Sequence, residues 1–199
     1  MDKDFPPYKI LYADPPWDNL RVDGHTAVDD PAQSRHPDES LWRRVSPGEI
    51  TAEDGVLFMW ARFPLFTQAL SLGLQWGFQY KTVAFVWVKR NQTGHFINGT
   101  GYYTRSNAEP VLLFTKGEPL MPSGKEVGQI VMTVSPREGG KPLEVRERID
   151  RLFGEEPKAE LLSGERLPKE ASHTRRRWDR YGMTTDFSIL VGRLTDQVP

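Results

Sequence analysis

Apolar residues in this chain cluster in short unbroken runs, and this constrains the fold more than any other feature. Ile10-Leu11-Tyr12-Ala13, Val56-Leu57-Phe58-Met59-Trp60, the Val-, Phe- and Trp-rich stretch Lys81 to Lys89, Val111 to Thr115, Ile130 to Val134 and Ala159 to Leu162 each carry little polar interruption. A strand exposed on one face alternates apolar with polar; a continuous run requires cover on both faces. That cover can come from two helical segments. Pro64 to Trp76 places Leu65, Phe66, Ala69, Leu70, Leu72 and Trp76 near helical spacing and stops at Gly77; Pro142 to Phe153 does the same with Leu143, Val145, Ile149 and Leu152. The expectation is an α/β domain with a mostly parallel sheet, a seventh strand near Val191, and one domain over residues 1–199, since no linker, repeat or low-complexity tract divides the chain. Two long polar stretches, 18–40 and 90–107, read as loops.

Charge narrows the function class. The chain has 26 Lys and Arg against 27 Asp and Glu, so it is not a globally basic nucleic-acid coat. Locally the balance shifts. Residues 1–40 hold nine acidic and four basic residues, whereas residues 166–180 hold six basic and two acidic ones. A basic patch on a neutral protein suits an anionic partner docking on one face. Cysteine is absent, which excludes a disulfide scaffold, a thiolate metal site and a cysteine nucleophile. His25, His36, His95 and His173 lie in loops without metal-ligand spacing, so no metal site is expected. Runs such as Thr82 to Val88 are too short to span a bilayer, and the N-terminal residues lack the apolar core of a secretion signal. A cytoplasmic protein without membrane attachment is the expectation.

Ligands of open α/β sheets bind at the carboxyl ends of the strands. Asp14-Pro15-Pro16-Trp17 follows the first apolar run directly. Its residue types suit a planar amine. The carboxylate of Asp14 can accept one hydrogen of an exocyclic NH2. Pro15 and Pro16 fix the backbone and donate nothing, which leaves neighbouring carbonyls to accept the other. Trp17 offers a face on which a base can stack. Acceptors on both hydrogens localise the amine lone pair and stabilise the positive charge that builds on nitrogen during attack, so no strong base is needed.

Ile10 to Trp17 resembles the catalytic signature of the adenine-N6 methyltransferases named after the seventy-kilodalton messenger-RNA adenosine methyltransferase subunit. Further blocks resemble the same family in the same order: Val56 to Ala61; Trp76-Gly77-Phe78 with Val86-Trp87-Val88-Lys89; Thr104 to Glu109 with Leu112-Leu113 and Lys116-Gly117; Ser135-Pro136-Arg137 with Lys141-Pro142 and Glu144-Val145; and Glu160-Leu161-Leu162 with Trp178-Asp179 and Gly182. Together they span residues 10 to 182. The resemblance implies a Rossmann-like fold that binds S-adenosylmethionine, in a permuted order with the catalytic motif first and the cofactor strand late. It implies that Asp14 lies beside the cofactor, that Lys141 reaches the methionine carboxylate, that Leu162, Ser163 and Gly164 form the cofactor turn, and that Glu160 and Arg166 lie near the ribose or adenine. The sequence departs from the family at two points: Leu162-Ser163-Gly164-Glu165 stand where an aromatic residue and Arg are usual, and Met183 where Asn is usual.

The expected activity is methyl transfer from S-adenosylmethionine to the N6 amine of adenine in nucleic acid. Small size without appended domains resembles bacterial and phage members, which favours DNA over RNA and a bacterial or phage-infected cell. Tyr102, Tyr103 and Arg105 are candidates for stacking on nucleotides beside the target. Arg137, Arg175, Arg176 and Arg177 are candidates for further nucleic-acid contact. The 17 residues between Gly117 and Ser135 leave little room for a separate target-recognition domain; either the two long loops read a short site, or a second subunit, identical or different, helps. Two other classes compete: a catalytically silent nucleic-acid-binding subunit of the same fold, and a small-molecule amine methyltransferase.

Overall fold

The computed structural model describes residues 7–17, 47–101, 103–124, 126–136, 140–163 and 178–182. Among these, seven strands form one sheet: β1 (Tyr8–Ala13), β2 (Thr51–Trp60), β3 (Gln79–Arg90), β4 (Ala108–Lys116), β5 (Ile130–Val134), β6 (Lys158–Ser163) and β7 (Trp178–Gly182). Their order across the sheet is β5-β3-β4-β2-β1-β6-β7. β1 pairs in parallel with β2 and β6, β3 with β5, and β6 with β7. Of the described strands, only β4 runs against its neighbours, β2 and β3. This is the mostly parallel α/β architecture expected.

The apolar runs are buried on both faces. Leu11, Leu57, Met59, Leu112 and Phe114 point to one side and pack with Ala69, Leu72 and Trp76. Ile10, Tyr12, Val56, Phe58 and Trp60 point to the other and pack with Val145, Ile149 and Phe153. The first layer is helix α1 (Phe66–Gln75), entered through a 3-10 turn at Phe63–Leu65 that uses Pro64. The helix gives out at Trp76, and Gly77 turns the chain with φ 86°, a conformation suited to glycine. The second layer is helix α2 (Leu143–Phe153), with Pro142 as its N-cap and Gly154 closing it at φ 56°. Below α2, the buried Lys158 bonds the carbonyl of Glu156 at 3.0 Å and approaches Asp150 at 3.4 Å, so its charge is matched at the helix end. Among the described residues no helix is long and apolar enough to cross a membrane.

Two expectations change. The strands β2 and β3 extend beyond their apolar runs, because ladder pairing continues where the side chains become polar. A seventh strand is present at Trp178–Gly182, at the end of the basic stretch, where no apolar run predicts one. Its polar character follows from alternation: Trp178 packs with Tyr12 on one face, while on the other the Tyr8 hydroxyl donates to Asp179 at 2.6 Å and is hydrogen-bonded to the Tyr181 hydroxyl at 2.8 Å. Val191 lies outside the described residues.

Helix α1 approaches β4 so closely that a Cβ on Gly73 would lie 2.2 Å from the ring of the fully buried Phe114. Alanine at a helical glycine ordinarily gains about 1 kcal/mol, whereas overpacking a core costs about 1–3 kcal/mol. Overpacking dominates here because the ring is enclosed. Gly73→Ala is expected to lower stability by about 1–2 kcal/mol, read as a lower urea midpoint at unchanged slope. A raised midpoint would show that the helix can move off the sheet.

Candidate active site

Four elements deliver charged side chains to the carboxyl ends of the central strands. Asp14 follows the last residue of β1, its N–H donating to the carbonyl of Leu161 on β6 at 3.1 Å. Lys89 stands at the end of β3. Glu109 lies at the start of β4, which reaches the same edge because it is antiparallel. Lys141 lies two residues before α2.

The four make a chain of alternating charge. The Lys141 ammonium lies 2.7 Å from Glu109 and 3.5 Å from Asp14. The other oxygen of Glu109 takes the ammonium of Lys89. Lys141 also sits over the Trp60 ring, 4.8 Å from its centre. Burial pushes the Asp14 carboxyl up to about 6; Lys141 opposes the rise, and the charges of Glu109 and Glu160 add to it. For Glu109, burial acts upward too, but Lys141 and Lys89 together hold it below the ordinary range. Burial would lower Lys141, and Asp14 and Glu109 more than reverse that.

Pro15, Pro16 and Trp17 are buried behind Asp14. Trp17 is only 3% exposed, and its indole N–H donates to the carbonyl of Trp60 at 2.9 Å. It therefore braces the turn from within, instead of presenting the open stacking face expected of it. The indole N–H of Trp60 in turn donates to the Tyr12 hydroxyl. The turn is thus stitched to both β1 and β2.

The residues expected to hold a cofactor divide. Lys141 is in the cluster, already engaged by two carboxylates. Glu160 is fully buried, with one oxygen on Arg146 and the other 2.9 Å from Arg180. Leu162, the penultimate residue of β6, has φ 62°, the left-handed conformation that residues other than glycine seldom adopt. The backbone of Ser163 closes the strand. Gly164 and Arg166 lie outside the described residues, as do Tyr102, Arg137, Arg175, Arg176 and Arg177. Tyr103, fully exposed, Arg105 and the half-exposed Phe63 all line one groove of about 590 Å³.

Trp60, Lys89, Glu109 and Arg146 belong to this site or its support, yet sequence reasoning assigned them no role. Lys89 and Glu109 lie inside the recognised blocks, but nothing in one dimension pairs the end of one strand with the start of the next. Arg146 did carry a signal: it stands three residues before Ile149, on the apolar face of α2.

Among the described residues, seven strands with helices on both faces, and a charged cluster beside a left-handed residue at the carboxyl strand ends, agree with a Rossmann-like α/β fold, and the chain's relatives make it that of a methyltransferase. The MT-A70 family model matches residues 8–175, and the chain belongs to that family. It is similar to the Type II methyltransferase M.MunI of Mycoplasma sp, with 32% identity over 193 residues, covering 88% of this chain and 77% of the relative.

The raised carboxyl of Asp14 has a signed consequence. A carboxyl whose native value lies above its ordinary 3.8 stabilises the fold when protonated, and that contribution is lost as pH rises through about 6. Asp14→Asn removes this cost. The melting temperature of the Asn variant, relative to the parent, is expected to be higher at pH 7 than at pH 4.5. An advantage that stays constant with pH would mean that Asp14 titrates at its ordinary value.

Proposed function

We propose that this methyltransferase transfers a methyl group from S-adenosylmethionine to the exocyclic N6 amine of adenine in nucleic acid, with DNA as the substrate. The observation that carries the reading is the Asp14 carboxylate, held at the end of β1 above a rigid Pro15-Pro16 turn and beside the ammonium of Lys141.

Asp14 accepts one amine hydrogen, and a carbonyl of the proline turn accepts the other. The nitrogen lone pair is thereby localised, and the carboxylate faces the positive charge that develops on nitrogen and can take the one proton that the methylated amine must release. The bound cofactor supplies an electrophilic methyl group on a cationic sulfur. The chain's own work is therefore orientation and electrostatics. Lys141 suits a cofactor carboxylate, since it can exchange one of its present carboxylate partners for another. The left-handed backbone at Leu162 marks the turn where a cofactor would approach main chain. Glu160 enters this reading as a buried support for Arg146 and Arg180. The motif order is read as permuted, with β1 catalytic and β6 the cofactor strand.

Nucleic acid would lie across the groove beside the cluster, with Tyr103 stacking on a neighbouring base and Arg105 on phosphate. A target within a duplex would have to be flipped out. Arg175, Arg176 and Arg177 supply phosphate contacts in this reading, because three consecutive arginines have no fixed geometry for reading base edges.

The test is nucleoside analysis of DNA and RNA from cells expressing the chain, together with Asp14→Ala. N6-methyladenine is expected in DNA from cells with the parent chain. Asp14→Ala should lose about two to three decades of rate at saturating cofactor, the cost of one preorganised contact to developing charge. Near-parent turnover in that variant would remove Asp14 from the chemistry. In calorimetric titration with S-adenosylmethionine, Lys141→Ala should weaken binding by about 1.5–3 kcal/mol. The triple arginine-to-alanine variant should lower the slope of log affinity against log salt by up to about 0.9 for each phosphate it no longer neutralises. An unchanged slope would assign that run to solvent.

A further inference from the structure

We propose that Lys89 is a positioning residue: acting through Glu109, it keeps Lys141 shared between two carboxylates, within reach of Asp14 without being locked onto it. The inference rests on Asp14 as the acceptor for the substrate amine, as proposed above. An acceptor fully clamped by an ammonium is unavailable to an amine; one with no nearby cation becomes protonated near neutrality. The geometry satisfies both limits at once.

Lys89 is well placed for this work. Its backbone is held on both sides, the N–H donating to the carbonyl of Asn107 at 2.9 Å and the carbonyl receiving the N–H of Ile97 at 3.0 Å. Its ammonium lies 5.0 Å from the centre of the Trp87 ring and bonds Glu109. Glu109 is therefore doubly neutralised, and its hold on Lys141 at 2.7 Å leaves that ammonium 3.5 Å from Asp14. The four charges sum to zero. Three further groups act on them: Arg62 on Lys141, and Glu160 and Tyr12 around Asp14.

Removing the charge of Lys89 or of Glu109 moves Asp14 in a predictable direction. Without the charge of Lys89, two carboxylates compete for one ammonium. Glu109, already nearer, draws Lys141 to itself, and Asp14 becomes harder to ionise. Without the charge of Glu109, Lys141 is released to Asp14 and a neighbouring anion disappears. Asp14 then ionises more readily but is clamped. The two variants thus shift one group in opposite senses, which mere loosening of the fold would not do.

The experiment is a carbon-13 NMR titration of the aspartate carboxyls in the whole chain, with Asp14 assigned by its loss in Asp14→Asn. Relative to the parent, Lys89→Met is expected to raise the Asp14 midpoint by roughly half to one unit, and Glu109→Gln to lower it by a similar amount, the scale for gaining or losing a nearby charge. Lys89→Arg, which keeps the charge, should restore the parent value. Lys89→Gln replaces Lys89→Met if that variant does not fold. Midpoints that stay unchanged, or that move the same way in both variants, overturn the proposal. The titration needs neither cofactor nor nucleic acid, so its outcome stands apart from that of the nucleoside analysis. Where methyl transfer is measurable, the acidic limb of kcat/KM should follow the same order, and Glu109→Gln should lower kcat more than it raises KM.

Discussion

The central strands β4, β2 and β1 are apolar on both faces, and the rest of the molecule answers the need to cover them. Leu11 and Tyr12 are neighbours in sequence, yet they belong to opposite cores. Each core requires its own helix, and a sheet covered on both sides can expose only its edges and strand ends. Polar chemistry is therefore forced to the strand ends. There the burial of the flanking side chains also supplies the low-dielectric setting in which a carboxylate and an ammonium act strongly on each other.

Aromatic residues carry this setting from core to site. Trp60 is fully buried, stacks edge-on with Tyr12 and Trp87, takes Lys141 over its ring and receives Trp17 on its carbonyl. One residue thus ties the turn after β1, the end of β2 and the ammonium ahead of α2 into one unit. Such a unit is preorganised: its charges and dipoles are oriented by packing before any ligand arrives. Beside it, Arg146 and Arg180 hold Glu160 within the second core, with Arg146 set against the ring of Tyr12. Breaking one member of such a group leaves an uncompensated buried charge, which is costly.

Much of the framework was legible in the chain. Six strands and both helices follow from apolar runs and from glycine and proline punctuation at Gly77 and Pro142, because burial on two faces writes itself as uninterrupted hydrophobicity. The strand Trp178–Gly182 did not show, since a strand at the end of the described sheet, with Asp179 exposed and Arg180 half-buried, leaves no apolar run. At the site, Asp14 and Lys141 were legible through the motif blocks that hold them. The link from Asp14 through Lys141 and Glu109 to Lys89 was not, because it depends on the reversed direction of β4. The role of Trp17 was misread for a related reason: a tryptophan beside a functional carboxylate looks like a platform until its indole N–H is found bonded to the main chain of another strand.

The reversed strand has a wider meaning. Because β4 runs against β3, the segment between them leaves the sheet at Arg90 and returns at Ala108 on the same edge, pinned at its base by main-chain bonds such as Lys89 to Asn107. A segment anchored this way can be lengthened, shortened or exchanged without altering the register of any strand, and loop closure costs grow only slowly with length. The Asp14–Trp17 turn after β1 has no such freedom, since Asp14 is bonded to β6, Pro15 and Pro16 are buried, and Trp17 is bonded to β2. The fold thereby separates a fixed charged cluster from a replaceable surface beside it. Grafting a different β3–β4 segment onto this sheet is a route to a new recognition surface that leaves the carboxylate and its ammonium where they stand.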